Sequence, residues 1–152
     1  MNHVIIRDAD LGDLEAIMRL ENETFATDAW SRDLMASELA SPNTFYLAAI
    51  SGDELVGYAG LSSPAGSEQA DIQTIAVDPT HRRLGIGRVL LRQLLALAQS
   101  RGATDVLLEV RADNPVAQRL YELNGFSAIA VRPRYYQPDD VDAVVMRLEV
   151  SA

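Results

Sequence analysis

The chain has 152 residues, 48% of them hydrophobic, which suits a single domain over 1–152 with its own core. Twenty-two acidic against 13 basic residues give a formal net charge of -9, which excludes general nucleic-acid binding and fits either a basic peptide partner or an ordinary acidic surface. There is no cysteine and every basic residue is arginine, so disulfides, thiolate metal sites, a cysteine nucleophile, Schiff-base chemistry and a P-loop lysine are all excluded.

The N-terminal stretch Met1-Asn2-His3-Val4-Ile5-Ile6-Arg7-Asp8 has no signal-peptide pattern. Val4 to Arg7 predicts a short strand. Asp10 is a candidate N-cap with Asp13 in the first turn, and Leu14, Ile17 and Met18 follow at helical spacing. A second helix is expected after Ser31, with Leu34, Met35 and Leu39 as its apolar face, ended by Ser41-Pro42-Asn43. Thr44 to Ile50 and Leu55 to Leu61 predict two strands joined at Ser51-Gly52-Asp53-Glu54. After a Ser-, Pro- and Gly-containing loop, a fourth strand spans about Ala70 to Val77 and stops at Asp78-Pro79. The strongest helical pattern runs from about Gly85 to Ser100, with Val89, Leu90, Leu94, Leu97 and Ala98 as its stripe and Arg101-Gly102 as its stop. Arg92 and Gln93 interrupt its apolar run, so nothing spans a membrane. Val106 to Val110 is a short apolar strand of the kind that suits the middle of a sheet. A helix is expected from Asn114 to Leu123, then strands over about Phe126 to Arg132 and Val141 to Leu148, with Pro133 to Asp140 as a polar loop carrying paired tyrosines. The order β-α-α-β-β-β-α-β-α-β-β predicts one mixed α/β (α+β) sheet, with parallel pairing across the middle β-α-β unit and helices on both faces.

The segment Arg82-Arg83-Leu84-Gly85-Ile86-Gly87 lies between an apolar strand and the start of the longest helix. Unsatisfied N–H groups and the helix dipole favour an anion there, two glycines let the backbone approach it, and Arg82, Arg83 and Arg88 add charged donors. Alone, the pair of glycines is also what a flexible strand-to-helix turn would use. A dinucleotide fingerprint would need glycine at position 90, where Leu90 stands, and no lysine follows for a Walker loop. With Ile75-Ala76-Val77-Asp78-Pro79 before it, the pattern resembles motif A of the Gcn5-related N-acetyltransferases (GNAT). The resemblance implies that Arg82, Arg83, Leu84, Gly85, Ile86, Gly87 and Arg88 hold the pyrophosphate of acetyl-coenzyme A. It also implies that the backbone of Ile75, Ala76 and Val77 meets the pantetheine arm and acetyl carbonyl. It covers the whole chain and implies that family's fold, a mixed, mostly antiparallel seven-stranded sheet with about four helices.

Acetyl transfer to an amine needs a base for the amine, a donor for the oxyanion and an acid for the departing thiolate. Glu109 is a carboxylate within Val106-Leu107-Leu108-Glu109-Val110. Read from the residues, it is either a desolvated general base or an exposed strand-end glutamate partnering Arg111. Tyr121 is either a proton donor or core packing. The run Leu108-Glu109-Val110-Arg111-Ala112-x-Asn114-x-x-Ala117-x-x-Leu120-Tyr121 closely resembles the RimI branch, which acetylates ribosomal-protein N-termini. That resemblance implies Glu109 as proton acceptor, Tyr121 as proton donor and Asn114 as a contact to acetyl-coenzyme A. Ala29-Trp30-Ser31 and Arg134-Tyr135-Tyr136 resemble the branch's two acceptor-flanking loops, which makes Trp30, Tyr135 and Tyr136 substrate-binding candidates. Glu21, Glu23 and Asp28 are either acceptor-attracting carboxylates or a solvated helix end. His3 and His81 are read as no metal site.

The expectation is a cytoplasmic enzyme that acetylates a basic protein N-terminus. By resemblance the target is the N-terminal alanine of the eighteenth protein of the small ribosomal subunit, with no metal, nucleic acid or membrane. The alternatives are a small-amine or lysine acetyltransferase, or a non-catalytic acyl-coenzyme A-binding module.

Overall fold

The computed structural model describes residues 3–82 and 84–150. The elements in chain order are β1 (Val4–Asp8), α1 (Leu14–Phe25), α2 (Arg32–Ala40), β2 (Thr44–Ser51), β3 (Glu54–Ser62), β4 (Gln69–Val77), α3 (Ile86–Ser100), β5 (Asp105–Arg111), α4 (Pro115–Leu123), β6 (Ser127–Tyr136) and β7 (Val141–Glu149), with short 3-10 turns before α1, after α1 and after β4. One seven-stranded sheet runs β1-β2-β3-β4-β5-β7-β6. Its pairs are antiparallel except β4 with β5, which the α3 crossover makes parallel.

Local chemistry fixes the element ends. Asp10 accepts from the Gly12 N–H at 2.8 Å, and Asp13 accepts from the Asp10 N–H at 3.0 Å, a reciprocal cap before α1. Arg7 grips the same Asp13 with two bonds of 2.8 Å and holds its carboxyl below the ordinary range. Ser31 caps α2 through the Leu34 N–H at 3.1 Å. Gly52, in the left-handed region at φ 63°, closes the β2–β3 hairpin.

The sheet is covered on both faces. α3 packs Ile86, Leu90, Leu91, Leu94 and Ala98 against Leu47, Ala49, Val56, Ala59 and Val106. On the opposite face α1 and α2 pack Leu14, Ile17, Met18 and Met35 against Tyr46, Ala48, Tyr58 and Ala76. Each of the buried Leu, Ile, Val and Met side chains among them contributes about 1.5–3 kcal/mol.

Two apolar faces differ from the sequence expectation. In α3, Val89 is exposed and Leu91 is buried, because the i, i+4, i+8 row through Ile86, Leu90 and Leu94 is the one that meets the sheet. In α2, Met35 is buried and Leu34 is exposed, one residue and about 100° away round the helix.

A third difference shapes the site. The segment 133–136 is not loop but the end of β6. The ladder with β7 is interrupted between Arg132 and Tyr136, where Pro133 lacks an N–H, and it resumes at Tyr136 opposite Val141.

Candidate active site

β4 and β5 pair over three residues only, Gln69, Ala70 and Asp71 against Asp105, Val106 and Leu107. The cause lies in β4. Gly60 pairs with Thr74 but Leu61 pairs with Ile72, so Gln73 is an extra residue, a β-bulge. The bulge reverses the alternation: Ala70 and Ile72 face α3, and beyond it Ile75 and Val77 do. Tyr46 donates its hydroxyl to Gln73 at 2.8 Å, and its ring lies over Gly60, where any side chain would collide with it. Past the bulge the strands part. A cleft of about 1470 Å³ opens between Ile75–Val77 and Glu109–Arg111, floored by α4 and rimmed by the turns after α1 and after β6.

One end of the cleft is the start of α3. Gly85 is its N-cap at φ 81°, in the left-handed region that glycine adopts freely. α2 and α4 have side-chain caps, whereas α3 has none among the described residues and no acid in its first turn. Ile86, Gly87 and Arg88, which line the cleft, are in the first turn, where backbone N–H groups have no intrahelical acceptor. A Cβ on Gly87 would meet only Leu120 at 3.5 Å and Val77 at 3.8 Å, ordinary contacts, so the protein's own packing does not demand glycine there. Space left by a missing Cβ beside free N–H groups and arginine fits a phosphate. Arg82 also lines this end, its Nε donating to the Val77 carbonyl at 3.3 Å. The Leu84 side chain, 66% exposed, is not brought to the cleft. Arg83 lies outside the described residues.

The other end holds the titratable groups. Glu109 points from β5 to the cleft with 30% of its side chain exposed. The strand alternates, so Leu108 and Val110 go to the core and Glu109 does not. The carboxylate is therefore not the deeply desolvated group that the apolar run suggested. Nor is Arg111 its partner: Arg132 is, with Nη1 at 3.7 Å.

At the last paired rung of β4 and β5, Asp71 lines the same cleft. Burial and the Glu109 charge raise its carboxyl, and a 3.2 Å hydrogen bond from Gln69 partly opposes them. Tyr121 is buried on α4, edge-on to Phe126 at 5.8 Å, and burial pushes its hydroxyl up to about 12. Asn114 lines the cleft, and its Oδ1 caps α4 by accepting from the Ala117 N–H at 3.1 Å.

Trp30, Tyr135 and Tyr136 also meet the cleft. Both tyrosine hydroxyls are raised, chiefly by burial and further by Glu109. The Trp30 N–H donates to Glu21 at 2.9 Å, and Tyr58 donates its hydroxyl to the same carboxylate. Glu21 is only 1% exposed, so it is no solvated helix end; burial raises its carboxyl. Its spacing from Leu14, Ile17 and Met18 was the available signal, since it continues their face. The structure thus brings Ile75, Ala76, Val77, Glu109, Asn114, Tyr121, Trp30, Tyr135 and Tyr136 to one cleft with Glu21 and Asp28, leaves Glu23 exposed outside it, and adds Asp71.

The sequence pattern of the Acetyltransferase (GNAT) family matches residues 14–126. A Mycobacterium tuberculosis protein named N-alpha-acetyltransferase RimI is 43% identical over 138 residues, covering 89% of this chain and 85% of its own length. The crystal structure of the ribosomal-protein-S18-alanine N-acetyltransferase from Escherichia coli superposes with a TM-score of 0.88 at 31% identity, covering 99% of this chain and 96% of that one. That of Ard1 from Thermoplasma volcanium gives 0.86 at 29% identity, over 98% and 99% of the two chains. With the pattern matched over most of the chain and the same fold in these relatives, the chain belongs to the GNAT acetyltransferase family, on its RimI side.

Proposed function

We propose that this chain, acting as one domain over 1–152 in the cytoplasm, transfers the acetyl group of acetyl-coenzyme A to the α-amine of a protein N-terminus. The observation that carries the reading is the cleft itself: an uncapped, glycine-containing helix start at one end, and a carboxylate and a protonated tyrosine at the other. In this reading Arg82, Gly85, Ile86, Gly87 and Arg88, with Arg83 and Leu84, hold the pyrophosphate. The backbone of Ile75, Ala76 and Val77 takes the pantetheine arm where β5 no longer pairs with it. Asn114 holds the co-substrate from the α4 side. Glu109, half-open to water, accepts the proton of the incoming ammonium directly or through a water. Tyr121, protonated at neutral pH like any tyrosine and held more firmly so by burial, has a proton to give to the thiolate.

Trp30, Tyr135 and Tyr136 wall the acceptor side, and the surplus of carboxylates there suits a basic N-terminus. The relatives' names point to alanine at the start of ribosomal protein bS18 as the target. A small-amine acceptor needs a closed pocket, whereas the acceptor end of this cleft opens between two turns.

The test is to incubate the protein and acetyl-coenzyme A with a basic peptide beginning in alanine, alongside a polyamine and a lysine peptide blocked at its α-amine. Mass spectrometry should find acetate on the alanine α-amine. Modification of the polyamine or the lysine side chain alone would overturn the reading.

A further inference from the structure

Arg111 is the last residue of β5, and its side chain does something neither the pyrophosphate end nor Glu109 requires. Its Nη1 meets Asp28 at 3.2 Å, in the turn after α1. Its Nε and Nη2 meet Asp113 at 2.9 and 3.1 Å. Nη2 also meets Asp139 at 3.1 Å, in the turn between β6 and β7. The guanidinium carbon lies 5.3 Å from the centre of the Tyr136 ring. Thr27 adds a 2.6 Å hydrogen bond to the same Asp139. Two turns 112 residues apart in sequence are thereby tied to each other and to β5.

Both tied turns contain a non-glycine residue at positive φ, Ala26 at 42° and Asp140 at 59°, and Arg134, near the end of β6, is a third at 52°. Such conformations cost of order 1–3 kcal/mol each and persist only where the surroundings over-determine them. Trp30 follows the first turn by two residues, and Tyr135 and Tyr136 precede the second. The Arg111 side chain is 17% exposed; its bond to Asp28 is partly buried, while those to Asp113 and Asp139 lie at the surface, so geometry rather than burial makes the lock. A planar fork with donors on three sides can hold three carboxylates at once, whereas an ammonium acts as a point charge and cannot span them.

We infer that Arg111 is a positioning residue that locks the two acceptor-side turns together and so sets the shape of the acceptor mouth. It acts through Asp28, Asp139 and Tyr136 and does not touch the reacting atoms. The inference rests on the acetyl-transfer reading only for the identity of the acceptor.

The experiment has two arms, run on the full chain with Arg111→Lys, Arg111→Gln and Asp139→Asn. In the first, amide hydrogen exchange is followed over residues 26–30 and 137–140 without substrate. Both segments should lose protection together in every variant, least in Asp139→Asn, which leaves Arg111 its bonds to Asp28 and Asp113. In the second, KM for an alanine-started basic peptide should rise about 10- to 100-fold in both Arg111 variants, one to two tenfold steps of lost acceptor binding. The kcat and the KM for acetyl-coenzyme A should stay at the wild-type level, and lysine should not rescue. Loosening of one turn only, or of neither, overturns the inference. So does an unchanged acceptor KM, or a KM for acetyl-coenzyme A that rises in step with it. If the wild type acetylates no N-terminal peptide, the functional reading falls and the exchange arm alone decides the lock. If the Arg111 variants do not fold, Asp139→Asn and Thr27→Val decide it in the same two measurements.

Discussion

Replacing Glu109 by Gln keeps the side chain's shape and its place beside Arg132 but removes its capacity to take a proton. The kcat should fall about 10²- to 10⁴-fold, the usual scale for a lost general base, with an unchanged melting temperature because the group is half-open to water. Tyr121→Phe should also lower kcat. With the hydroxyl raised to about 12, the wild-type rate should show no alkaline loss from this group below that pH; a fall centred near the ordinary tyrosine value would refute the assignment.

Glu21 calls for a stability measurement. Its carboxyl is raised by burial, so the folded state holds that proton more tightly than the unfolded chain does. Its contribution is fully present below the ordinary glutamate value of about 4.3 and is lost as pH rises through the raised folded value. Gln at this position can still accept from Trp30 and does not ionise. The melting temperature of Glu21→Gln relative to wild type should therefore climb as pH rises from the ordinary glutamate value through the raised folded one; a flat difference would show that Glu21 is not raised.

Glu21 also shows where sequence reasoning stops at this scale. Its place on the apolar face of α1 was readable from its spacing. Its partner Tyr58, 37 residues away, was not, so a buried carboxylate and a solvated one looked alike. Arg111 is the same case. Its sequence neighbour Glu109 was the obvious partner; the actual ones are a different neighbour, Asp113, and Asp28 and Asp139, which arrive on loops that only the tertiary fold delivers.

Among the elements, the two glycines at 60 and 87 separate packing from binding. Gly60 lies under the Tyr46 ring, and Gly60→Ala should cost about 1–3 kcal/mol and lower the melting temperature. Gly87 has room for a methyl group as far as the protein is concerned. Gly87→Ala should melt like the wild type yet raise KM for acetyl-coenzyme A, because the added Cβ stands where a phosphate would approach. Equal effects on both quantities would mean that Gly87 is structural.

Most elements were legible because their signals are local: Asp10 as a cap, Ser31 before a helix, Gly52 at a hairpin, Pro79 after a strand. The end of β6 was not. Pro133 and two adjacent tyrosines read as a loop, and it is pairing with Val141 that makes Tyr136 a strand residue and aims the tyrosines at the cleft. The bulge at Gln73 was equally invisible, since it is a mismatch between β4 and β3 rather than a property of either.

For the molecule as a whole, the net charge of -9 bears on the acceptor. Around Arg111, three carboxylates share one guanidinium, so the mouth keeps a negative surplus. KM for an arginine-containing alanine peptide should rise with ionic strength, and KM for a neutral alanine peptide should not. Parallel responses would remove charge from the recognition.

The parting of β4 from β5 also divides the sheet mechanically. Strands β1 to β4 form one panel and β5, β7 and β6 another, and three parallel rungs with the α3 crossover are the seam between them. A molecule built this way yields first along its seam, as locally weak regions do in native-state opening. A ligand seated in the cleft spans both panels and acts as a rivet. Acetyl-coenzyme A should therefore raise the melting temperature with its concentration and sharpen the calorimetric transition, because the two panels would then come apart as one. Catalysis and cohesion would depend on the same gap.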